Sequence, residues 1–369
     1  MCWFLAHARE MPWRRTRDPY AIWVSEIMLQ QTQVKTVVAY YERWMRALPN
    51  LASLADANSE QLHKLWEGLG YYTRVRNMHR AAQIILKDHS GKFPSKYEEI
   101  LALPGIGRYT AGAICSIALG QPTAILDGNV IRVLSRLYGV EGDTAGKEVN
   151  AKLWSLAEAL VNAAAAMPLD ITFYGKPSNR LDRFGSASTC SIFNQSLMEL
   201  GALVCTPQNP DCGICPLRGI CTALKTERVN QLPTPRKRPE VTARRFLAFI
   251  LEDHGRYLVR QRPANLVNGN LWEFPNLEAN EGDMPVKTAK AVLGAAPSRF
   301  TRVQTIRHSI TRYRILLEVF RVELKSGNGT MVAVRDAPAQ WLSLQQMSEL
   351  PFASAHRKIL LRLTKDLPA

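Results

Sequence analysis

The 369-residue chain is 46% hydrophobic and sets 47 Lys and Arg against 32 Asp and Glu, a formal charge of +15. Such a length exceeds one compact core, so two domains are expected, and the composition excludes a disordered chain. The charge points to a polyanionic partner, nucleic acid ahead of membrane, and no apolar run reaches membrane-spanning length.

The N-terminal residues Met1 to His7 lack a signal-peptide pattern, which predicts a reducing cytoplasm, with a nucleoid in a bacterial cell. In chain order, the first two-thirds read as helices. Asp18 before Pro19 supplies an N-cap and a proline at the first helical position. An apolar helical pattern then runs from Tyr20 to about Tyr41. Further helices are predicted near 51–67, 73–88, 95–102, 108–119, 129–138, 147–163 and 191–204, with Gly and Pro at most junctions. Residues 167–190 read as a long exposed loop; Lys176, Arg180 and Arg183 allow a DNA or partner contact, and a solvated insertion is the plainer reading. Residues 228–242 are Pro-rich, basic and aperiodic, which suits a linker. Beyond them, alternation predicts strands at 245–251, 257–259 and 313–324 and helices at 285–294 and 354–365, a separate α+β domain. The expected division is 1–227, a helical catalytic region; 228–242, the linker; and 243–369.

Cys205, Cys212, Cys215 and Cys221 fall in one short segment as C-x6-C-x2-C-x5-C. Thiolates so close can enclose one cation or one iron–sulfur cluster. Zinc is the plain alternative, but structural zinc sites use two close pairs and only the middle pair is close here. Cys2, Cys115 and Cys190 are left as free thiols.

Leu103 to Ala111 reads LPGIGRYTA between two helical stretches. Gly105 and Gly107 let the backbone turn tightly and bare its N–H groups, and the following helix adds its positive N-terminal end. Together they make a seat for a DNA phosphate that reads no sequence. A plain helix–helix turn is the alternative.

Two carboxylates stand alone. Glu26 is the one charged residue between Asp18 and Lys35, among Ile22, Trp23, Ile27 and Leu29. Desolvation there raises its pKa and keeps it protonated, as a general acid requires. Asp127 is the one charge between Arg108 and Arg132, just before a helix whose N-terminus favours its anion. Cleaving an N-glycosidic bond needs this division of labour: an acid for the departing base and an anion for the sugar cation. A buried structural hydrogen bond for Glu26 and a simple N-cap for Asp127 remain open.

The strings PWRRTRDPYAIWVSEIMLQQTQV, LWEGLGYYTRVRN, LPGIGRYTAGAI, ILDGNVIRVLSRL and NQSLMELGALVC resemble the MutY-type adenine DNA glycosylases of the helix-hairpin-helix superfamily. The likeness is close over about 12–140 and 191–225 and looser over 243–369. It implies an all-α core, six helices over about 18–134, with a cluster subdomain from 1–17 and 135–227. It implies that Glu26 protonates adenine, that Asp127 stabilises the sugar cation, and that Tyr109 and Asn129 support them. Gln31 and Tyr71, with Leu69 beside them, match residues that hold the gap left by a flipped base; for Tyr71 a core aromatic is the alternative. The four cluster cysteines would bind [4Fe-4S], structural and DNA-positioning. Endonuclease III relatives carry Lys where Tyr109 stands and use its amine for strand cleavage; tyrosine cannot, so base removal alone is implied. The partner implied is double-stranded DNA with adenine opposite 8-oxoguanine or guanine, met by a monomer.

Gly269 to Pro275 (GNLWEFP) resembles a Nudix-type domain, yet residues 278–294 lack the glutamate-rich box that holds catalytic magnesium. The domain is expected to recognise 8-oxoguanine, not to hydrolyse nucleotides. The family's Phe-Ser-His sensing loop is matched here by Ile310, Thr311 and Arg312 after His308 and Ser309, with Thr311 still offering a hydroxyl. The loop between Cys205 and Cys212 lacks the basic residues often found there. The rival functions are a bifunctional glycosylase for oxidised pyrimidines, which Tyr109 opposes, a non-catalytic lesion-binding protein, and a nucleotide pyrophosphatase, which the missing box opposes.

Overall fold

The computed structural model describes residues 1–167, 187–235, 240–280, 282–310, 312–324 and 339–365. Thr311 and most of the 167–190 insertion, with Lys176, Arg180 and Arg183, lie outside the described residues. The helices are α1 Cys2–His7, α2 Pro19–Leu29, α3 Val34–Ala47, α4 Leu51–Asp56, α5 Ser59–Trp66, α6 Thr73–Asp88, α7 Tyr97–Leu101, α8 Arg108–Ala113, α9 Gly128–Tyr138, α10 Lys147–Ala165, α11 Thr189–Leu203 and α12 Thr222–Lys225.

Asp18 caps α2 as its sequence suggests, its side chain accepting from the Tyr20 N–H at 3.1 Å. The single helix expected over 20–41 is instead two, because the chain breaks after Leu29 and Gln31 takes a left-handed φ of 55°. The window 51–67 also splits. Asn50 and Asn58 each accept a backbone N–H three residues on, from Ser53 and Gln61, so both start helices rather than sitting inside one. Past α8 the helix expected over 108–119 widens into a π turn over Ile114–Ala118.

Two compact units form: Met1–Ala57 with Arg76–Lys237, and Asn58–Val75 with Arg238–Ala369. Residues 58–75, placed by sequence in the helical region, therefore pack with the C-terminal residues. In the first unit, α9, α10 and α11 share a core that includes Val133, Leu134, Leu153, Val161 and Leu200. Helix α2 is buried continuously from Tyr20 to Met28. A helix apolar on all sides has no wet face, so any carboxylate on it is desolvated.

The second unit holds β1 Thr242–Ile250, β2 Glu252–Asp253, β3 Arg256–Gln261, β4 Trp272–Glu273, β5 Asn276–Ala279, β6 Pro297–Ile310, β7 Tyr313–Leu324 and β8 Ala339–Ser343. Its helices are α13 Pro285–Leu293, α14 Leu344–Glu349 and α15 Ser354–Lys365. One sheet runs β5-β1-β7-β6, with β1 parallel to β7 and the other pairs antiparallel; the second runs β2-β3-β4, with β8 on β3. The two-residue period of β1 divides its side chains between two cores. Ala248 and Ile250 join Phe274, Leu317 and Ile359, whereas Leu247 and Phe249 join Val292 and Phe320. Strand β6 escaped the sequence reading: it is an edge strand, and arginines at 299, 302 and 307 interrupt its apolar alternation. Strands β6 and β7 pair up to Ile310 and Tyr313, with Arg312 directly before β7.

Candidate active site and iron–sulfur centre

Glu26 sits on the buried helix α2, 5% exposed. The Tyr109 hydroxyl donates to its Oε2 at 2.7 Å. Burial pushes the Glu26 carboxyl up to about 7; the Tyr109 hydrogen bond opposes the rise, the nearby Asp127 charge adds to it and Arg14 opposes it. The same burial, with Glu26 and Asp127 beside it, pushes the Tyr109 phenol well up, so the phenol stays a donor.

Asp127 is part-buried and is the N-cap of α9. Its Oδ1 accepts from the Val130 N–H at 2.7 Å and its Oδ2 from the Asn129 amide at 2.9 Å. Burial raises its pKa, while these bonds and Arg132 pull it back. Glu26 has one hydrogen bond to its charged form; Asp127 has several. Hydrogen bonds to the charged form thus oppose desolvation at more points for Asp127 than for Glu26.

Two glycines that no local sequence pattern singles out bring these pieces together. A Cβ on Gly112 would lie 2.2 Å from the Ala124 carbonyl, so only glycine lets the 124–127 segment press against α8. A Cβ on Gly201 would lie 2.7 Å from the Asn129 Cβ, which fixes how closely α11 meets the start of α9. Arg132 also went unnoticed: it donates to the Asn129 Oδ1 at 2.8 Å and to the Gly201 and Cys205 carbonyls at 2.7 Å each. Beside them, Glu199 is buried and takes forked bonds from Arg9 and Arg14. Those cations and their hydrogen bonds overcome its desolvation and hold its carboxyl down at about 2.

In the hairpin, Gly105 has φ +78° and sits so near Asn77 that a Cβ would meet it at 2.6 Å. Gly107 is the N-cap of α8, with open space where a side chain would project and no side-chain cap on the helix. Both glycines are exposed. A phosphate approaching the first turn of α8 meets N–H groups and no side chain at Gly107.

Cys205, Cys212, Cys215 and Cys221 line one cavity, together with Arg136 and Arg218. Among the described residues, no three Cys, His, Asp or Glu side chains converge on a single-ion site. Four thiols facing a shared hollow suit a multi-atom cluster better than one zinc ion. Buried Arg136, another residue the sequence did not flag, donates to the Cys205 Sγ at 3.3 Å and to the Thr206 carbonyl at 2.8 Å. Hydrogen bonds and positive charge of this kind stabilise thiolate ligands.

The candidate DNA contacts divide between the units. Gln31, in the first, is exposed and left-handed. Tyr71, in the second, is 45% exposed with φ 48°, so it is a surface residue and not a core aromatic. Leu69, two residues before Tyr71, is buried at 6% exposure. His308 is part-buried, Ser309 and Arg312 are exposed, and all three lie at the β6–β7 hairpin end. Arg312 donates to the Tyr313 hydroxyl at 3.1 Å.

Residues 24–159 match the model of the HhH-GPD superfamily base excision DNA repair proteins, 247–362 a NUDIX domain, and 205–221 the iron-sulfur binding domain of endonuclease III. The adenine DNA glycosylase of Mus musculus is 31% identical over 99% of this chain and 77% of its own length. The chain belongs to the adenine DNA glycosylase family. The Homo sapiens adenine DNA glycosylase is 32% identical over 97% of this chain and 72% of its own, and that of Buchnera aphidicola (from Schizaphis graminum) 35% identical over 75% and 73%. It is thus a DNA-binding base excision repair enzyme that hydrolyses the N-glycosidic bond of adenine. The iron–sulfur match starts at Cys205 and ends at Cys221, and the family's [4Fe-4S] cluster fits the cavity those thiols line. No helix among the described residues is long and apolar enough to cross a membrane.

Proposed function

We propose that this adenine DNA glycosylase acts on double-stranded DNA with adenine opposite 8-oxoguanine or guanine, with Glu26 as the acid and Asp127 as the anion. The observation that carries it is a buried carboxyl, raised to about 7 and bonded to Tyr109, with the charge of Asp127 adding to the rise. Glu26 gives its proton to a ring nitrogen of the extruded adenine. The bond between base and sugar breaks, and its electron pair leaves with the base. The positive charge left on the sugar is stabilised by Asp127, which Val130 and Asn129 hold in place. Water then captures the sugar, leaving an abasic site. Tyr109 has no amine, so no Schiff base forms and the strand stays whole.

The remaining parts serve DNA. The Gly105–Gly107 backbone seats a phosphate, Gln31 and Tyr71 hold the gap in the base stack, and His308, Ser309 and Arg312 contact the lesion strand. Helix α13, where a hydrolytic Nudix domain would carry its glutamates, holds Lys287 and Lys290 and no acid, which favours recognition over hydrolysis. The enzyme acts as a monomer on the bacterial nucleoid. The deciding experiment measures adenine release from four duplexes, with adenine opposite 8-oxoguanine, guanine, cytosine or thymine. Release is expected to be fastest opposite 8-oxoguanine. Equal rates from all four would defeat the specificity; a product trapped on DNA by borohydride would defeat the monofunctional mechanism.

A further inference from the structure

Tyr71 stands on a tightly built turn. Gly68 and Gly70 precede it with φ of +103° and +69°. The Trp66 indole N–H and the Arg74 guanidinium both donate to the Gly70 carbonyl, at 3.0 and 3.1 Å, and Arg74 also bonds the Leu69 carbonyl at 3.0 Å. The same guanidinium lies over the Trp66 and Tyr71 rings, 5.2 and 5.6 Å from their centroids.

Directly before this turn comes Glu67, which is buried. Its Oε1 accepts the Phe352 N–H at 2.9 Å. Its Oε2 takes the Arg357 guanidinium and, at 3.1 Å, the Lys64 ammonium. Lys64 reaches on to the Ser348 and Leu350 carbonyls at 2.6 and 3.0 Å. Phe352 in turn lies fully buried in the core that contains Ile306, two residues before His308 on β6. A packed path therefore runs from the β6–β7 hairpin through Phe352 to Glu67 and the Tyr71 turn, all within one unit.

We propose that Glu67 is a positioning residue that latches the Tyr71 turn to the body carrying the His308–Arg312 hairpin end, so that one rigid piece presents both the wedge and the lesion-sensing residues. The proposal rests on the roles given to Tyr71 and to that hairpin under Proposed function. A buried carboxylate facing two cations and a backbone N–H is rigid, because losing any partner leaves charge uncompensated. A wedge held this way reports the fit of the opposite base, since the hairpin cannot seat on the lesion without moving Tyr71.

The test uses the full-length enzyme and the variants Glu67→Gln, Arg357→Gln and both together. Amide exchange of residues 68–72 is measured in the free protein, and single-turnover adenine release is measured opposite 8-oxoguanine and opposite guanine. Exchange over 68–72 should rise about tenfold in Glu67→Gln, equivalent to about 1.4 kcal/mol, while β1 and β7 keep their protection. The rate preference for 8-oxoguanine over guanine should fall by a similar factor, and the double variant should be no worse than Glu67→Gln. Unchanged exchange in both single variants overturns the latch. Raised exchange with an intact preference overturns its part in lesion reading. If Glu67→Gln loosens β1 and β7 as well, Arg357→Gln, on a half-exposed side chain, carries the same decision. Equal release from both duplexes by the unsubstituted enzyme would instead overturn the specificity reading, and exchange alone would then decide the latch.

Discussion

Replacing Glu26 by Gln should stabilise the enzyme at alkaline pH while abolishing catalysis. The carboxyl is displaced from 4.5 to about 7, mainly by burial. A carboxyl with a raised folded pKa binds more protons in the native state than in the unfolded one between those two values. Stability is therefore full below about 4.5 and is lost as pH rises through about 7. Each pKa unit is worth about 1.4 kcal/mol, so the full loss is about 3 kcal/mol. Gln keeps an acceptor for the Tyr109 hydroxyl and carries no charge, so it escapes the loss. For a unit of this size, that energy corresponds to roughly 6–10 °C in Tm. The assay is thermal unfolding of both proteins at pH 5 and pH 8.5, alongside adenine release. Near-equal Tm values at pH 5 and a clear advantage for the variant at pH 8.5 are expected, with no release by the variant. A pH-independent difference, or an active variant, would refute the argument that this carboxyl is both desolvated and catalytic.

Asp127→Asn separates catalysis from capping. Asn caps helices about as well as Asp, so Tm should hold within about 2 °C, whereas adenine release should fall by about 100-fold or more. Tyr109→Phe removes a hydrogen bond that holds the Glu26 pKa down, so the alkaline limb of the pH–rate profile, near 7 in the parent enzyme, should move to higher pH. Glu199→Gln should lose stability near neutral pH by about 3–5 kcal/mol, because Arg9 and Arg14 lose their buried counter-charge. The parent's own Glu199 contribution is present above 4.5 and should fade as pH drops towards about 2. Cys212→Ser should lose visible iron–sulfur absorbance and weaken DNA binding without changing the melting of the C-terminal unit.

The desolvation of Glu26 and Asp127 was legible in the sequence, because each is a lone charge in an apolar stretch. The four cysteines were legible by spacing. Gly112 and Gly201 were not, since their use depends on Ala124 and Asn129, which only tertiary packing brings within reach. Nothing in the local sequence sets Arg136 apart from a solvated arginine, yet it is buried and bonds carbonyls as remote as that of Leu232. The opposite exposures of Leu69 and Tyr71, 6% and 45%, were not legible, since which way each side chain of the turn faces is set by tertiary packing. Strand β6 was missed because edge positions tolerate arginine, which erases the alternation that marks a strand.

The chain order of the second unit constrains protein engineering. Residues 58–75 belong with the C-terminal residues, through Lys64, Glu67 and their partners at 348–357. A chimaera that grafts 243–369 from another family member onto this enzyme would keep the host's Lys64 and Glu67 opposite foreign surfaces. The module that can be swapped whole is discontinuous, with 58–75 travelling alongside the C-terminal portion. A truncation after residue 227 would likewise strip a buried carboxylate of its backbone donor and its guanidinium, so the shortened enzyme should be prone to aggregate.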